Sequence, residues 1–472
     1  MTVRLDALLD AAGIPSPPAE GPRPEISSVT HDTRAVVEGA LFCCVPGARV
    51  DGHDLVPDAV AAGAVAVLAE RPVDTSVPVV PVPSVRAALG PVAAAFWDRP
   101  SASLAVVGVT GTSGKTTTTH LLGSVLEAAG WPTTVLGTLT GPRTTPEAPE
   151  LQAALAAARD AGKRAVAMEV SSHALVMGRV RATRFAVAVF TNLSHDHLDF
   201  HRDMDDYFEA KAQLFTPDYA DAAVVNLDDP RGQELARRAA VPTEGFRLTD
   251  AEDLVVGPQR STFRWRGQAV TLGLGGRFNV ANALAAATAA TALGVPPAEV
   301  AAGLCQAPSV PGRFQPVDAG QPFAVVVDYA HKPGALADAL AAARESVGAG
   351  RVVVVIGAGG DRDASKRPEM GEVAGRLADL VVVTSDNPRS EDPLAIIDDL
   401  RRGMAPSASV VVEPDRERAI HAALSAAEAG DIVVIAGKGH ESVQEVAGVA
   451  TPFDDREVAR RALDALRGSG SW

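Results

Sequence analysis

A glycine-rich turn, GVTGTSGKT, carries the clearest chemical signal in the sequence. Gly114, Lys115 and Thr116 supply the G-K-[ST] end of the pattern G-x-x-x-x-G-K-[ST], and Gly108 stands one position further from Gly114 than that pattern has it; an apolar run precedes them and a helical pattern follows them. In such a loop, backbone N–H groups from Gly111 onward surround phosphates, the lysine reaches the β- and γ-phosphates, and the threonine hydroxyl binds Mg²⁺. The turn therefore predicts a nucleoside triphosphate as ligand. Kinases, GTPases and transporters share it, so the reaction stays open.

Acidic and imidazole groups follow the next apolar runs. Glu169 ends a run in AMEVSSHAL, and His197 follows another in TNLSHDHLDFH. A carboxylate suits Mg²⁺, whereas imidazole suggests zinc, although the spacing matches neither H-E-x-x-H nor a Cys/His finger. We interpret His195 and His201 as polar residues that cap a strand. Spacing alone indicates that Lys211, in YFEAKAQLF, is a surface lysine with a buried stem.

Length, charge and cysteine content narrow the class of protein. The 472 residues allow for three domains at about 150 residues each. The net charge of −15 argues against nucleic-acid partners, because nucleic-acid-binding domains usually carry a basic face. The three cysteines form no disulfide framework and fit a reducing cytoplasm. The N-terminal apolar stretch contains acidic residues and no run of about 18 apolar residues occurs, so we expect neither signal peptide nor membrane span.

Apolar runs alternate with helical patterns along the chain, which indicates parallel sheets covered on both faces. We therefore expect an α/β protein with three domains, at residues 1–100, 101–315 and 316–472. Ligands of such sheets bind at the carboxyl ends of the strands. The polar side chains that follow apolar runs are Glu169, His197, Asp361, Asp386 and Lys438.

Separated motifs resemble those of the Mur ligases and occur in the same order along nearly the whole chain. They are GVTGTSGKTTTTHLL, AMEVSSHAL, FTNLSHDHLDFH, YFEAKAQLF, GRFNVANALAA, VPGRFQPV, VDYAHKPGAL, GAGGDRDASKRPEMG, TSDNPRSEDP and AGKGHE. The resemblance implies an N-terminal α/β domain for a uridine nucleotide, a central P-loop ATPase-type parallel sheet and a C-terminal Rossmann-like domain for an amino acid. It is closest to the members that add the third residue of the peptidoglycan stem peptide.

The resemblance implies an ATP-dependent amide ligation. ATP phosphorylates the free carboxylate of UDP-MurNAc-L-Ala-D-Glu, an amine attacks the acyl phosphate, and a tetrahedral intermediate loses phosphate. Phosphorylation removes the negative charge that protects a carboxylate from nucleophiles. While the phosphoryl group is transferred, cations must hold the ATP phosphates and the substrate carboxylate close together. The expected cofactors are ATP and two Mg²⁺ ions. The expected partners are the small-molecule substrates alone, and a monomer is the default.

The resemblance also assigns roles around the phosphates. Thr116 and Glu169 match ligands of one metal ion, and His197 matches a ligand of a second, which a carbamylated Lys211 helps to hold. Carbamylation turns a cation into a carboxylate-like group, so this role replaces the surface interpretation of Lys211. The positions that match ATP contacts are Gly111, Thr112, Ser113, Gly114, Lys115, Thr116, Thr117, Asn279, Asn282 and Asp328. The positions that match catalytic groups are Lys115, Glu169, His197, Lys211, Arg313 and His331.

A further set matches the contacts to the UDP-muramyl dipeptide. Its members are His31, Thr33, Ala48, Arg49, Val50, Arg143, Thr144, Thr145, Ser171, Met177 and Arg179. Arg143 and Met177 depart from residues found in some family members, which leaves local substrate contacts open. Thr33 and Ser113 also differ from the residues that are common in the family. Thr33 keeps the hydroxyl group, and Ser113 can still contribute its backbone N–H to the phosphate loop.

The motif SDNPRSEDP indicates which amino acid is added, because family members that use 2,6-diaminopimelate carry Asp-Asn-Pro-Arg there. Arg389 can bind the extra carboxylate of diaminopimelate with two parallel hydrogen bonds, and Asp386 and Asn387 can receive its far ammonium. Lysine would leave the arginine unpaired, so discrimination can be large. The matching positions are Arg367, Asp386, Asn387, Pro388, Arg389, Gly437 and Glu441. The meso and LL isomers stay open, and Asp-Asn-Pro is also strong turn chemistry.

Other functions are less consistent with the sequence. A sister ligase or a folylpolyglutamate-like synthetase would not be expected to combine Asp-Asn-Pro-Arg with the N-terminal segment. A non-catalytic nucleotide-binding homologue would be expected to lose Lys115, Glu169, His197 or Lys211, and all four are present. A P-loop motor or GTPase would leave the third segment unexplained, and the sequence has no N-K-x-D pattern.

Overall fold

The structure, a computed structural model, describes residues 2–16, 23–47 and 50–468. It divides into two compact units, which are described separately. The first comprises the chain up to Gly111 together with Gly130–Gly245, and the second comprises Thr112–Ala129 and the chain from Phe246 onward. Both contain parallel sheets covered by helices, so the predicted α/β class is confirmed.

The first unit begins with a small antiparallel pair and a four-stranded parallel sheet. The pair is β1 (Val3–Arg4) and β2 (Glu25–Ile26). The sheet runs in chain order through β3 (Ser28–Thr30), β4 (Ala40–Cys43), β5 (Ala64–Ala69) and β6 (Val79–Pro81). The helices of this part are α1 (Leu5–Ala12), α2 (Val56–Ala61) and α3 (Val85–Phe96). Every residue of β4 is buried, as a continuous apolar run predicts.

The six-stranded sheet of the first unit has the order β12-β11-β10-β7-β9-β8. Its strands are β7 (Ala105–Thr110), β8 (Thr133–Leu136), β9 (Ala165–Glu169), β10 (Phe185–Phe190), β11 (Ala220–Asn226) and β12 (Thr243–Phe246). The pairings from β11 to β8 are parallel. The helix after β7, α4 (Lys115–Ala128), belongs to the second unit. The first unit also contains α5 (Ala148–Asp160), α6 (Ser172–Val176), α7 (Met204–Ala212) and α8 (Pro230–Arg238).

The second unit opens with a helical layer and a three-stranded antiparallel sheet. The strands are β13 (Glu252–Val256), β14 (Ser261–Trp265) and β15 (Gln268–Leu272). Helix α4 packs against α9 (Arg277–Ala292) and α10 (Pro297–Gln306). Eleven residues of α9 are buried, and many of them are alanines. Small side chains of this kind let neighbouring helices approach closely.

A second six-stranded sheet completes this unit, in the order β16-β17-β21-β18-β19-β20. The strands are β16 (Gln315–Pro316), β17 (Ala324–Asp328), β18 (Val352–Ile356), β19 (Leu380–Val383), β20 (Val410–Val412) and β21 (Ile432–Ala436), with a hairpin of β22 (Val443–Val446) and β23 (Val449–Pro452). The helices are α11 (Pro333–Val347), α12 (Lys366–Leu377), α13 (Pro393–Arg402), α14 (Arg416–Ala426) and α15 (Asp455–Gly468). Alternate strand residues enter two cores, one on each face of the sheet. In open α/β sheets of this kind, ligands bind outside the carboxyl ends of the strands.

Candidate active site

The glycines of the predicted phosphate loop have conformations and surroundings that exclude side chains. Gly111 follows β7 with φ of 150°, and a Cβ there would overlap the Thr191 hydroxyl. Gly114 precedes α4 with φ of 84°, and a Cβ there would overlap the Asn282 side chain. The strand, glycines and helix therefore lie where the motif requires them. The Lys115 Nζ donates to the Thr112 carbonyl at 2.8 Å.

The two asparagines expected near ATP lie on α9, against the helix that opens at Lys115. Asn279 is fully buried and its Nδ2 donates to the Gly275 carbonyl at 2.8 Å. The Oδ1 of Asn282 accepts from the Thr118 hydroxyl at 3.4 Å. The contact of Asn282 with Thr118 joins α9 to α4. Both asparagines lie in the same unit as Thr116 and Thr117, which are also buried.

Arg313 connects the same helix to the end of β17. Its Nη2 lies 3.1 Å from the Thr116 hydroxyl, and its guanidinium lies over the Tyr329 ring, 4.8 Å from the centroid. Asp328 accepts backbone N–H bonds from Phe314 at 2.6 Å and Ala330 at 2.9 Å. Burial raises the pKa of Asp328 to about 6, although Arg313 opposes the shift. The structure thus brings together Thr116, Arg313 and Asp328.

His331 follows the same strand and stays neutral. Its Nδ1 lies 2.8 Å from the Tyr329 carbonyl, which requires the proton on Nδ1. Burial lowers the pKa of His331 to about 4, and neighbouring cations lower it further. A neutral imidazole can orient a substrate by hydrogen bonding, without adding charge.

In the first unit, Glu169 ends β9 with only 1% of its surface exposed. Its Oε1 accepts from the Thr138 N–H at 2.8 Å, and a Cβ at Gly137 would overlap this carboxylate. A buried carboxylate at a strand end is the oxygen donor that Mg²⁺ prefers. Within residues 2–16, 23–47 and 50–468, no three His, Cys, Asp or Glu side chains form a group able to hold a metal ion. Mg²⁺ also takes hydroxyl, phosphate and water oxygens as ligands.

Lys211 and His197 differ from ordinary surface residues. Lys211 is 1% exposed, and its Nζ donates to the Gly111 carbonyl at 2.8 Å. The same Nζ lies 4.4 Å from the centroid of the Tyr207 ring. His197 has φ of 55°, a left-handed conformation that costs energy for a residue with a Cβ. The surface interpretation of Lys211 from spacing is therefore wrong, because the lysine lies on the inner face of α7.

Two histidines near His197 were missed or underestimated from the sequence. His173 stacks on Phe200 with 4.0 Å between centroids and makes an edge contact with His197 at 4.9 Å. His201, interpreted above as a polar cap, is 2% exposed and its Nε2 lies 2.9 Å from the Ser172 hydroxyl. The only sequence signal for His173 was its position in AMEVSSHAL. The histidines and Phe200 form one ring cluster that supports the loop of His197.

Five of the residues expected to contact the dipeptide lie together in the first unit. The Thr145 hydroxyl donates to the Glu169 carbonyl at 2.9 Å and accepts from the Ser171 N–H at 3.1 Å. Arg179 donates to the Thr145 carbonyl at 3.2 Å and to the Met177 sulfur at 3.3 Å. Thr144 lies beside them and its hydroxyl contacts Thr138. Arg179 also pairs with the buried Glu147, at 2.9 Å.

The remaining residues of that set lie on other segments. His31 follows β3, and Thr33 begins a short 3-10 helix that the Asp32 side chain caps. Val50 is 56% exposed, and Arg143 is also exposed. Ala48 and Arg49 lie outside the described residues.

The residues expected to bind the amino acid come from the carboxyl ends of β19 and β21. The Nδ2 of Asn387 donates to the Glu441 Oε2 at 2.8 Å. Gly437 has φ of 116°, and a Cβ there would lie 3.1 Å from the Asp386 Oδ2. Pro388 separates Asn387 from Arg389 and lies within this turn. Two sequence segments about 50 residues apart thus form one polar surface, as the shared sheet edge predicts.

The two arginines of this set have different surroundings. Arg389 has φ of 52°, and its Nη1 donates to the Gly360 carbonyl at 2.7 Å. Arg367 is 2% exposed and bonds Glu391 and Asp399, each at 2.9 Å or less. These ion pairs occupy much of the Arg367 guanidinium, so Arg389 is the more accessible cation for a substrate carboxylate.

Two buried cations lie behind this surface; the sequence places Lys438 after an apolar run without assigning it a role, and it does not indicate Arg416. Lys438 is fully buried and its Nζ lies 3.1 Å from the Asn387 Oδ1. Arg416, at the start of α14, forms a fully buried ion pair with Asp455 at 2.7 Å and also donates to the Ser385 and Ala436 carbonyls. It therefore joins the ends of β19 and β21.

None of the helices in the described ranges combines the length and apolarity that a bilayer crossing needs.

Comparisons with known proteins match the chain along nearly its whole length. The Mur ligase family, catalytic domain, matches residues 25–97, the Mur ligase middle domain matches 109–290, and the Mur ligase, glutamate ligase domain, matches 312–439. A UDP-N-acetylmuramoyl-L-alanyl-D-glutamate–2,6-diaminopimelate ligase of Streptomyces coelicolor is 47% identical, over 98% of this chain and 97% of its own. A ligase of the same name from Thermosynechococcus vestitus is 45% identical over 98% of each chain.

Solved structures support the same grouping. A structure of a UDP-N-acetylmuramoyl-L-alanyl-D-glutamate–2,6-diaminopimelate ligase superposes with a TM-score of 0.71 at 32% identity, covering 99% of this chain and 100% of that one. A folylpolyglutamate synthase of Mycobacterium tuberculosis with ADP and AMPPCP has a TM-score of 0.59 at 20% identity, covering 80% of this chain and 94% of that one. The second comparison concerns the fold alone.

Proposed function

The chain belongs to the Mur ligase family, and we propose that it is the ATP-dependent ligase that joins 2,6-diaminopimelate to the D-glutamate of UDP-MurNAc-L-Ala-D-Glu. The product is a precursor of peptidoglycan. The observation that carries this assignment is the contact of Asn387 with Glu441, which joins the motif Asp-Asn-Pro-Arg to the motif GKGHE at one edge of the sheet. This surface offers carboxylates for ammonium groups and Arg389 for a carboxylate, the pattern that diaminopimelate presents.

The reaction transfers the γ-phosphoryl group of ATP to the glutamate carboxylate, which gives an acyl phosphate and ADP. The amine of diaminopimelate attacks the acyl carbon, loses a proton, and forms a tetrahedral intermediate that expels inorganic phosphate. Lys115 and Arg313 stabilise the negative charge on the transferred phosphoryl group. Arg313 is held for this role by the Thr116 hydroxyl and the Tyr329 ring. His331, neutral at physiological pH, orients the phosphorylated group.

Magnesium is part of this proposal. Thr116 and Glu169 would bind one ion, and His197 with a carbamylated Lys211 would bind a second. A bound magnesium ion neutralises phosphate charge. The buried carboxylate of Glu169 and the hydroxyl of Thr116 are hard oxygen donors, which fits that metal. The Nζ of Lys211 keeps one N–H after carbamylation, which is enough to retain its bond to the Gly111 carbonyl.

The remaining assignments follow the same family pattern. The uridine nucleotide would bind residues 1–100, ATP residues 101–315 and diaminopimelate residues 316–472. Contacts to the UDP-muramyl dipeptide are assigned to the group around Thr145 and Arg179, with His31, Thr33, Ala48, Arg49, Val50, Arg143, Thr144, Ser171 and Met177. We further propose a cytoplasmic monomer that acts on small molecules alone.

The test is phosphate release with ATP, Mg²⁺ and UDP-MurNAc-L-Ala-D-Glu, with meso-diaminopimelate, LL-diaminopimelate or L-lysine added in parallel. Release with a diaminopimelate isomer supports the proposal and shows which isomer is used. Release with lysine in place of both isomers would contradict the role of Arg389. No release with any amino acid, from protein that binds ATP, would contradict the ligase assignment.

A further inference from the structure

A fully buried lysine lies directly beneath the proposed amino-acid site. Lys438 follows β21, and its side chain has no exposed surface. Burying an ammonium group costs several kcal/mol unless hydrogen bonds and opposite charges surround it. Its surroundings therefore indicate what it stabilises.

The three N–H donors of the Lys438 ammonium each have a partner. Its Nζ lies 2.6 Å from the Val443 carbonyl, 3.1 Å from the Asn387 Oδ1 and 3.4 Å from the Glu441 Oε2. An ammonium group has three donors, so these acceptors satisfy it. Two of the three belong to residues assigned above to diaminopimelate.

The lysine fixes the orientation of the Asn387 amide. The Asn387 Oδ1 accepts from Lys438 and also from the Glu445 N–H at 3.0 Å. Because two donors face this oxygen, the Nδ2 must face the other way, where it donates to the Glu441 Oε2 at 2.8 Å. The carboxylate of Glu441 is thus held through one oxygen by both Asn387 and Lys438.

The lysine also sets the charge of the site. The Asp386 Oδ1 lies 3.6 Å from the Lys438 Nζ, and within the described chain this buried oxygen has no hydrogen-bond partner. One ammonium therefore offsets part of the charge of two carboxylates, Asp386 and Glu441. Without it, the site would carry one more net negative charge.

We propose that Lys438 is a positioning residue that sets amino-acid specificity, by holding Asn387 and Glu441 in place and by limiting the negative charge of the site. This inference rests on the proposed function. Diaminopimelate has two ammonium and two carboxylate groups and no net charge, whereas lysine has a net charge of one. A site with the buried ammonium suits the neutral zwitterion, and a more negative site suits the cation.

The test compares kcat/KM for diaminopimelate with kcat/KM for L-lysine in the wild type and in Lys438→Met. The diaminopimelate isomer used in these assays is the one that the wild type accepts. We expect the ratio of diaminopimelate to lysine to fall about tenfold or more, with the KM for ATP changed little. Lys163→Met is the matched control, because it removes a lysine charge from the first unit, and its ratio should equal that of the wild type.

A purely structural role would lower both kcat/KM values together, so an unchanged ratio in folded Lys438→Met overturns the inference. Thermal melting and ADP binding establish whether the variant is folded. If it is not, Glu441→Gln decides, because Glu441 is partly exposed and its loss makes the site less negative. We then expect the ratio to rise, and an unchanged or lower ratio overturns the inference. Inactivity of the wild type with diaminopimelate would instead contradict the proposed function.

Discussion

The Nζ of Lys211 donates to the carbonyl oxygen of Gly111 at 2.8 Å, across 100 residues of sequence. Gly111 begins the predicted phosphate loop, and Lys211 lies on the buried face of α7. The contact ties a helix of the first unit to the point where its central strand ends. It also gives the buried ammonium group of Lys211 one hydrogen-bond acceptor.

Replacing Lys211 should abolish most ligase activity. We expect Lys211→Met to lower kcat by about 100-fold or more, because the variant loses the Gly111 contact and the proposed carbamate. Phosphate release measures the effect, and ¹³C NMR with labelled bicarbonate tests for the carbamate in the wild type. Lys163→Met serves as the control. A fully active Lys211→Met would exclude a carbamate role.

Arg313 should affect turnover more than nucleotide binding. Arg313→Met removes the contact with the Thr116 hydroxyl and a cation proposed to act on the transferred phosphoryl group. We expect kcat to fall about 100-fold and ADP affinity to change by less than about fivefold. Arg401→Met, an exposed arginine of α13 in the same unit, should leave both unchanged. Equal loss of ADP affinity and kcat would indicate a binding role instead.

Arg389 should matter for one substrate only. We expect Arg389→Met to raise the KM for diaminopimelate by about tenfold or more, because a bidentate partner of the far carboxylate is lost. The KM values for ATP and the UDP-muramyl dipeptide should stay within about twofold of the wild type. Steady-state kinetics with each substrate varied in turn checks this. A uniform rise in all three KM values would count against a specific contact.

The buried pair of Arg416 and Asp455 should contribute strongly to stability. Asp455→Ala leaves an uncompensated buried guanidinium, so we expect the free energy of unfolding to fall by about 3–5 kcal/mol. The double variant Arg416→Met/Asp455→Leu should recover much of that loss, because no charge stays buried. Urea unfolding measures both. Asp464→Ala, which breaks an exposed pair with Arg467, should cost less than about 1 kcal/mol.

His331 should make the protein less stable in mild acid. Burial lowers its pKa to about 4 from an ordinary value of 6.5, so between those pH values the unfolded chain binds a proton that the folded chain does not. The free energy of unfolding should therefore fall as pH decreases from about 6.5 to about 4, by up to about 1.4 kcal/mol per pH unit. In His331→Gln this slope should be smaller by that amount. An identical slope in the variant would mean that His331 is protonated in the folded protein.

The local features of this molecule could be predicted from the sequence. Continuous apolar runs predict parallel strands, because strands of a parallel sheet are buried on both faces. The structure confirms this for β18 and β21, in which every residue is buried. The loop that ends at Thr116 lies between a strand and a helix, as its motif requires. Both features depend on residues close together in the chain.

Long-range pairs could not be predicted in the same way. Helical spacing does not show which face of α7 is buried, so spacing alone predicts a surface position for Lys211, whereas the side chain is buried. Arg416 and Asp455 are 39 residues apart, and nothing in either segment indicates the other. Lys438 follows an apolar run, but its contacts with Asn387 and Glu441 depend on how β19 and β21 are arranged in the sheet.

The backbone at Arg389 limits how this enzyme could change its substrate during evolution. With φ of 52°, the position favours glycine, asparagine or aspartate and disfavours valine, isoleucine and threonine, whatever those side chains would contact. Mutational drift at this site therefore samples a reduced set of amino acids. New substrate preferences should arise first through that set, or through neighbouring positions whose backbone accepts any residue.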